Sequence, residues 1–267
     1  MRIATWNVNS LKARLPRVED WLAYAQPDVL CMQETKLADS AFPGLAFAAL
    51  GYEAAHCGQG QWNGVAILSR VGLEDVVAGF SDEVPATCPK GVQEPAQTEA
   101  RLLWATCGGV RVGTVYVPNG RLVGSEHYEA KLAWLERLGA HLASACDPSR
   151  ELVICGDFNV APDDRDVWDP TKLHGGTHVS PAERAAVGAL IDWGLVDVFR
   201  QRYSEPGLYS WWDYRAGDFH QHRGLRIDLV LATEPLARRA SFALIDRFAR
   251  KGKAPSDHAP LLVDFDD

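Results

Sequence analysis

Short apolar runs that finish in amides and carboxylates give this chain its pattern. Residues 2 to 8 alternate well enough for a strand and finish on Asn7-Val8-Asn9. Leu11, Leu15, Val18 and Leu22 then recur at helical spacing, and Pro27 ends that helix. Asp28-Val-Leu-Cys-Met-Gln33-Glu34-Thr35 reads as a second buried strand with an amide and a carboxylate at its far end. Gly64 to Ser69 and Leu102 to Thr106 read as further strands, and the Pro- and Glu-rich stretch 81 to 99 between them as an exposed loop. Val110 to Val117 alternates and turns at Tyr116-Val-Pro118-Asn119-Gly120. From Glu126 to Ala145, Tyr128, Leu132, Leu135, Leu138 and Leu142 form a helical stripe expected to serve core packing alone.

That helix leads into Leu152 to Cys155, a buried strand. Gly156 is expected to turn the chain there, so that Asp157 and Asn159 emerge at the strand's end. Residues 160 to 179 read as irregular, with His174 and His178 as loop histidines, because Gly175 and Gly176 deny them a rigid helix. Ser180-Pro181-Ala182-Glu183 is a capping box opening a helix that Gly194 closes. Aromatic residues crowd Tyr209 to Tyr214, where Trp212 is expected in the core. In Gly224 to Thr233, Asp228 stands at the beginning of an apolar run, and Pro255-Ser256-Asp257-His258-Ala259-Pro260 likewise precedes Leu261 to Phe265. Antiparallel placement of these two runs against the earlier strands would bring all the polar motifs into one cleft. No linker, low-complexity tract or strong internal repeat divides residues 1 to 267, so one domain is expected.

Composition changes this picture little. A chain of 267 residues, 47% hydrophobic and 23% charged, is ordinary for a soluble globular protein. Six cysteines without Cys-x-x-Cys spacing suggest a reducing compartment. With no leader segment and no run of membrane-spanning length, a cytoplasmic location is expected. The net charge of -8 argues mildly against a nucleic-acid partner. Against that, Lys12, Arg14, Lys36, Arg121, Arg215, Arg223, Arg226, Arg247, Arg250, Lys251 and Lys253 lie near the polar motifs and predict a basic face on an acidic body.

The converging inventory is Asn7, Asn9, Glu34, Tyr116, Asn119, Asp157, Asn159, Asp228, Asp257 and His258. It is a hard, oxygen-rich set that favours magnesium or manganese over zinc. The chemistry that suits it is hydrolysis of a phosphate ester, with a carboxylate activating water and amides holding the phosphorus centre. Asp228 could orient the His258 imidazole and favour its protonated form.

Thr5-Trp6-Asn7-Val8-Asn9, Gln33-Glu34-Thr35, Gly156-Asp157-Phe158-Asn159, Arg226-Ile227-Asp228 and Ser256-Asp257-His258-Ala259-Pro260 resemble the signature blocks of the exonuclease III family, in the family's order and over essentially the whole chain. This is the branch of the endonuclease/exonuclease/phosphatase superfamily that contains apurinic/apyrimidinic endonucleases. The resemblance implies a four-layer α/β sandwich, two mixed β-sheets packed face to face with helices on the outer faces. It also implies a magnesium-dependent enzyme of base-excision repair, with manganese able to substitute. Such an enzyme cuts double-stranded DNA 5′ to abasic sites and, as a 3′-5′ exonuclease, trims or deblocks blocked 3′ ends; a monomer is expected.

Carried over by motif, Glu34 is the main metal ligand, with Asn7 and Asp257 close by. Tyr116, Asn119 and Asn159 contact the scissile phosphate, and His258, paired with Asp228, polarises it. Whether Asp157 or the Asp228 and His258 pair handles the attacking water stays open. Asn9 and Arg121 are counted with the substrate-binding residues, and Trp211, Leu225 and Ile227 are expected to form the abasic pocket. Asn9 stands where some relatives have aspartate, and Asn119 where bacterial members carry glutamine. The rival readings are a superfamily phosphatase or phosphodiesterase on a non-DNA ester, and a DNA-binding relative that has lost catalysis.

Overall fold

Strands buried on both faces read as unbroken apolar runs, and Val29–Gln33 is one: all five residues are buried. Cys31 faces the core between two sheets, while Leu30 and Met32 face a helix outside. The computed structural model describes residues 1–80 and 99–267, so the expected loop at 81 to 99 lies almost wholly outside the described residues. Along the chain run β1 (Arg2–Asn7), α1 (Leu11–Ala25), β2 (Val29–Gln33), α2 (Gly44–Ala49), β3 (Glu53–Cys57), β4 (Val65–Ser69) and β5 (Glu74–Ala78). Next come β6 (Leu102–Cys107), β7 (Val110–Tyr116), α3 (Glu126–Ala145), β8 (Leu152–Asp157), α4 (Pro170–Leu173), α5 (Pro181–Asp192) and β9 (Leu195–Asp197). The chain finishes with α6 (Val198–Arg202), β10 (Asp228–Thr233), α7 (Glu234–Ala237), β11 (Ala240–Ile245) and β12 (Leu261–Phe265).

The strands make two six-stranded sheets, ordered β11-β12-β1-β2-β4-β3 and β5-β6-β7-β8-β10-β9. Each is mixed, with one parallel pair joined through a helix: β1 and β2 through α1, β7 and β8 through α3. Their inner faces meet in a core that includes Ile3, Val29 and Ile67 from one sheet and Val112, Val153 and Val230 from the other. On the outer faces α1 packs on Ala4 and Trp6 through Val18, Trp21 and Leu22, and α3 and α5 pack on Val115 and Ile154 through Leu135, Leu138, Val187 and Leu190. This is the four-layer arrangement expected, and Trp212 is fully buried in it.

Three local readings need correction. Gly156 does not turn the chain: it lies inside β8 with a φ of 151°. A Cβ there would come within 2.0 Å of the Val115 carbonyl oxygen, so glycine is what lets β8 sit against β7. Residues 160 to 179 are not wholly irregular, since a 3-10 turn at Asp164–Asp166 and the helix α4 lie within them. The α3 stripe buries Lys131, with Leu132 only half-buried.

The basic face is also smaller than expected. Arg226 is fully buried and bridges Asp166 (2.6 Å) and Asp197 (2.7 Å), tying the segment after β8 to β10. Arg250 is buried too, stacked over Phe219 at 4.8 Å. Removing one partner of a buried pair strands the others in low dielectric. Arg226→Ala is therefore expected to lower unfolding stability by about 3 kcal/mol, the low end for such pairs because Arg200 still reaches Asp166 at 2.5 Å. A urea titration that leaves the midpoint unchanged would contradict it.

Candidate active site

The C-terminal ends of both parallel pairs open on the same rim, which is where α/β sheets commonly present functional groups. Asn7 ends β1, Gln33 ends β2, Tyr116 ends β7 and Asp157 ends β8. Antiparallel β10 then brings Asp228 opposite Asp157, and the segment before β12 brings Asp257 and His258 to the same place. The antiparallel placement that would bring the beginnings of these two runs to the ends of the earlier strands is what the structure has.

Hydrogen bonds join these groups. The Asn7 amide donates to Glu34 Oε1 and to Asp157 Oδ2, both at 2.9 Å. The Asn159 N–H donates to Asp157 Oδ1 at 2.9 Å, and the Asn119 amide donates to Asn159 Oδ1 at 3.2 Å. On the other side Asn9 Nδ2 donates to Asp257 Oδ1 at 3.0 Å, and Trp211 Nε1 donates to Asp257 Oδ2 at 3.1 Å. His258 Nδ1 contacts Asp228 Oδ2 at 2.8 Å, which leaves Nε2 3.8 Å from Asp157 Oδ2.

Electrostatics separates their roles. Burial, with Asp228 and Glu34 nearby, raises Asp157 from the ordinary carboxyl range to about 7, although His258 and the Asn7 amide oppose this. Burial works against charge on His258, yet Asp228 and Asp157 outweigh it and raise the imidazole to about 10. Burial also pushes Asp257 up, but His258 and the Trp211 and Asn9 donors more than offset it and hold its carboxyl below the ordinary range. Burial beside Glu34 and Asp157 pushes the Tyr116 hydroxyl well above its usual range, so it stays a proton donor.

Several positions hold backbone that side chains rarely adopt. Asn9 (φ 43°), Glu34 (φ 54°), Lys36 (φ 52°), Arg121 (φ 54°) and Asn159 (φ 52°) are all left-handed. Such residues cost on the order of 1 kcal/mol each and tend to cluster where function fixes the chain.

The remaining expected residues are placed less centrally. Arg121 meets the site only through its N–H, which donates to Asn119 Oδ1 at 3.1 Å. Leu225 and Ile227 are 5% and 2% exposed and pack with Val167 and Val179 beneath the half-buried Trp211. Sequence reasoning missed the roles of three neighbours, placing Lys36 only on the basic face. Lys36 bonds both Glu34 (2.7 Å) and Asn9 Oδ1 (2.6 Å). Arg101 stacks on the Tyr116 ring at 4.7 Å. His178, read as a plain loop histidine, lies against the Asn159 carbonyl, with its ring 6.5 Å from that of Trp211. Burial and Lys131 lower His178 to about 4 and keep it neutral.

Among the described residues no three His, Cys, Asp or Glu side chains converge tightly enough to cage a metal ion. The donor set still fits a hard cation, because magnesium usually takes one or two carboxylates and keeps several waters. Glu34 supplies a carboxylate beside the Asn7 amide, and burial together with the like charges of Asp228 and Glu34 raises Asp157, a strain that a divalent cation would relieve.

Two facing mixed sheets with carboxylates, amides and one imidazolium gathered on one rim define a hydrolase of phosphate esters. The model of the endonuclease/exonuclease/phosphatase family matches residues 4–258. Exodeoxyribonuclease III of Haemophilus influenzae is 33% identical over 276 residues, spanning 99% of this chain and 100% of that protein. Among solved structures, an AP endonuclease from Archaeoglobus fulgidus has a TM-score of 0.92 at 39% identity, covering 100% of both chains. The 3′ phosphatase NExo from Neisseria, bound to a product DNA hairpin, has a TM-score of 0.91 at 38% identity and the same coverage. The chain belongs to the endonuclease/exonuclease/phosphatase family, in its exonuclease III branch. It is a hydrolase of the nuclease type, and the family is divalent-metal dependent in general.

Proposed function

We propose that the chain is a DNA-repair nuclease that hydrolyses the phosphodiester 5′ to an abasic site in duplex DNA and trims or unblocks 3′ ends, with magnesium as its ion and manganese able to substitute. The observation that carries the mechanism is the geometry at His258: Nδ1 is held by Asp228 Oδ2 at 2.8 Å, and Nε2 faces Asp157 Oδ2 at 3.8 Å. With the Asp228 carboxylate on Nδ1, the pKa of His258 is raised and the ring is held as a cation with no lone pair to accept a proton, which leaves Asp157 to take it. Asp157 is thus the base for the attacking water, and His258 Nε2–H binds a non-bridging phosphate oxygen.

Glu34, with Asn7 and Asp257, would hold the metal ion, which supplies charge stabilisation at the phosphate when bound. Asn119 and Tyr116 donate to the phosphate oxygens, and Asn159 joins them by turning one N–H away from Asp157 Oδ2, the longer of its two bonds at 3.3 Å. Asn9 and Arg121 line the approach. Trp211, tethered to Asp257 over Leu225 and Ile227, offers an apolar wall for an extruded sugar that lacks its base. DNA as substrate draws support from the relatives, one of which is bound to a DNA hairpin. A single catalytic unit and a monomer are part of this reading. So is a reducing, cytoplasmic setting, supported by thiols at Cys31, Cys107, Cys146 and Cys155. Among the described residues no helix is long and apolar enough to cross a membrane.

The test is an end-labelled duplex carrying one abasic analogue, beside an intact duplex with a recessed 3′ end, each with magnesium and with chelator. Metal-dependent incision immediately 5′ of the lesion is expected, with some shortening of the intact end. Hydrolysis of a generic phosphodiester without attack on either DNA would transfer the chain to the phosphatase reading. Binding without any hydrolysis would make it an inactive relative.

A further inference from the structure

We propose that Lys131 is a positioning residue for the phosphate-binding amides, holding Asn119 and Asn159 by their main-chain carbonyls. The proposal rests on the reading of those two asparagines as phosphate ligands. Lys131 falls in step with Tyr128, Leu135, Leu138 and Leu142 on the inner stripe of α3, and it is 0% exposed. An apolar side chain would pack there at no electrostatic cost, whereas a buried ammonium needs every hydrogen partnered. Its partners are specific. Nζ donates to the Asn159 carbonyl at 2.6 Å, to the Asn119 carbonyl at 3.3 Å and to the Glu183 carboxylate, which uses all three hydrogens.

These two carbonyls belong to different loops, one after β7 and one after β8, and Lys131 is the side chain that bonds both. The Asn159 backbone is left-handed at φ 52°, so its carbonyl points where a relaxed chain would not put it. His178 Nδ1 grips the same oxygen at 2.5 Å. Gly120 adds a steric reason for the close approach, since a Cβ there would lie 2.9 Å from Lys131 Cδ.

Glu183 fixes the lysine in turn. Its carboxylate accepts the His178 N–H at 3.0 Å, the Ser180 N–H at 3.1 Å and the Ser180 hydroxyl at 2.7 Å, and Ser180 Oγ meets the Tyr128 hydroxyl at 2.7 Å. The capping box of α5 is thereby wired to the loops that carry the phosphate ligands. If Lys131 lets go, both carbonyls rotate and both side-chain amides move, although no group that touches substrate has been changed.

A double-mutant cycle on kcat tests this, using Lys131→Met, Asn159→Ala and the combination, with thermal melting recorded for each. A misplacement near 1 Å is worth about a hundredfold, so Lys131→Met should lower kcat roughly 10- to 100-fold while KM for the abasic duplex moves less than about threefold. With Asn159 already removed, Lys131→Met should cost less than about threefold more, because residues that act as a unit are not additive. Its effect on melting should persist in both backgrounds. Independent, multiplying losses in kcat would overturn the proposal and leave Lys131 a structural residue. Should Lys131→Met fail to fold, Lys131→Gln, which keeps a donor, enters the same cycle under the same criterion. Full activity in Asn159→Ala alone would instead overturn the phosphate-ligand reading itself, whatever Lys131 does.

Discussion

Glu34→Ala is expected to lower kcat by about a thousandfold or more while the protein melts cooperatively near its wild-type temperature. A metal ion at a reacting phosphate supplies several kcal/mol, and about 4 kcal/mol corresponds to a thousandfold. The Asn7 amide joins two carboxylates, Glu34 and Asp157, and of these Glu34 is the more exposed. Asp257 is held by Asn9 and Trp211, and Asp157 must stay available to water. The structural penalty is small. Glu34 and Lys36 form a partly exposed pair at 2.7 Å, and the freed lysine can turn to solvent. The loop itself is held by main-chain bonds, such as Ser10 N–H to the Glu34 carbonyl at 2.7 Å, that alanine retains. Two measurements check this: turnover of an abasic duplex across a magnesium titration, and calorimetric binding of magnesium to the DNA-free protein. Wild-type turnover at ordinary magnesium would remove Glu34 from its assigned role.

How much of this was readable from sequence depends on where each strand lies in its sheet. Among the described residues, the eight strands recognised from apolar or alternating runs are the eight interior ones. The four that went unread, β3, β5, β9 and β11, are the four sheet edges. Edge strands bury less and so carry a weaker pattern; β5, Glu-Asp-Val-Val-Ala, is exposed along its whole length. The site was legible for a related reason, since its carboxylates and amides interrupt interior strands at their ends, where a bland residue would serve equally well for folding. Residues that act on it from outside were hidden or, like Lys36, given only a surface role. Lys36 lies in a loop whose left-handed turns have no sequence signature in Glu34 or Lys36. Lys131 did leave a signal, a charged residue at a position where the 3-and-4 spacing of Tyr128, Leu135, Leu138 and Leu142 calls for an apolar one. Choosing Leu132 for the stripe concealed it. Arg226 shows the opposite error: its motif was recognised, but its charge belongs to Asp166 and Asp197 in the interior, not to a DNA-facing surface.

Asp228→Asn should reduce kcat about a hundredfold at neutral pH and pull the alkaline limb of the pH profile down from about 10, a shift that distinguishes the two readings of His258. In the wild type, activity should rise as Asp157 ionises through about 7 and fall as His258 loses its proton through about 10. Burial alone would drive His258 below its ordinary 6.5, and the Asp228 carboxylate 2.8 Å from Nδ1 is the chief group opposing that. An asparagine can keep a hydrogen bond there but supplies no charge, so the imidazole becomes neutral within the neutral range and its grip on the phosphate weakens.

Stability must follow the same linkage. A folded-state pKa raised above the unfolded value stabilises the fold fully below about 6.5, and the contribution is lost as pH rises through about 10. Urea titrations should therefore show the variant weaker than wild type at pH 6, with the gap closing toward pH 10. If His258 were the base instead, its neutral form would be the active one. Wild-type turnover would then climb toward pH 10, and Asp228→Asn would extend activity to lower pH. An alkaline limb that stays near 10 in the variant would show that Asp228 does not set the charge on His258.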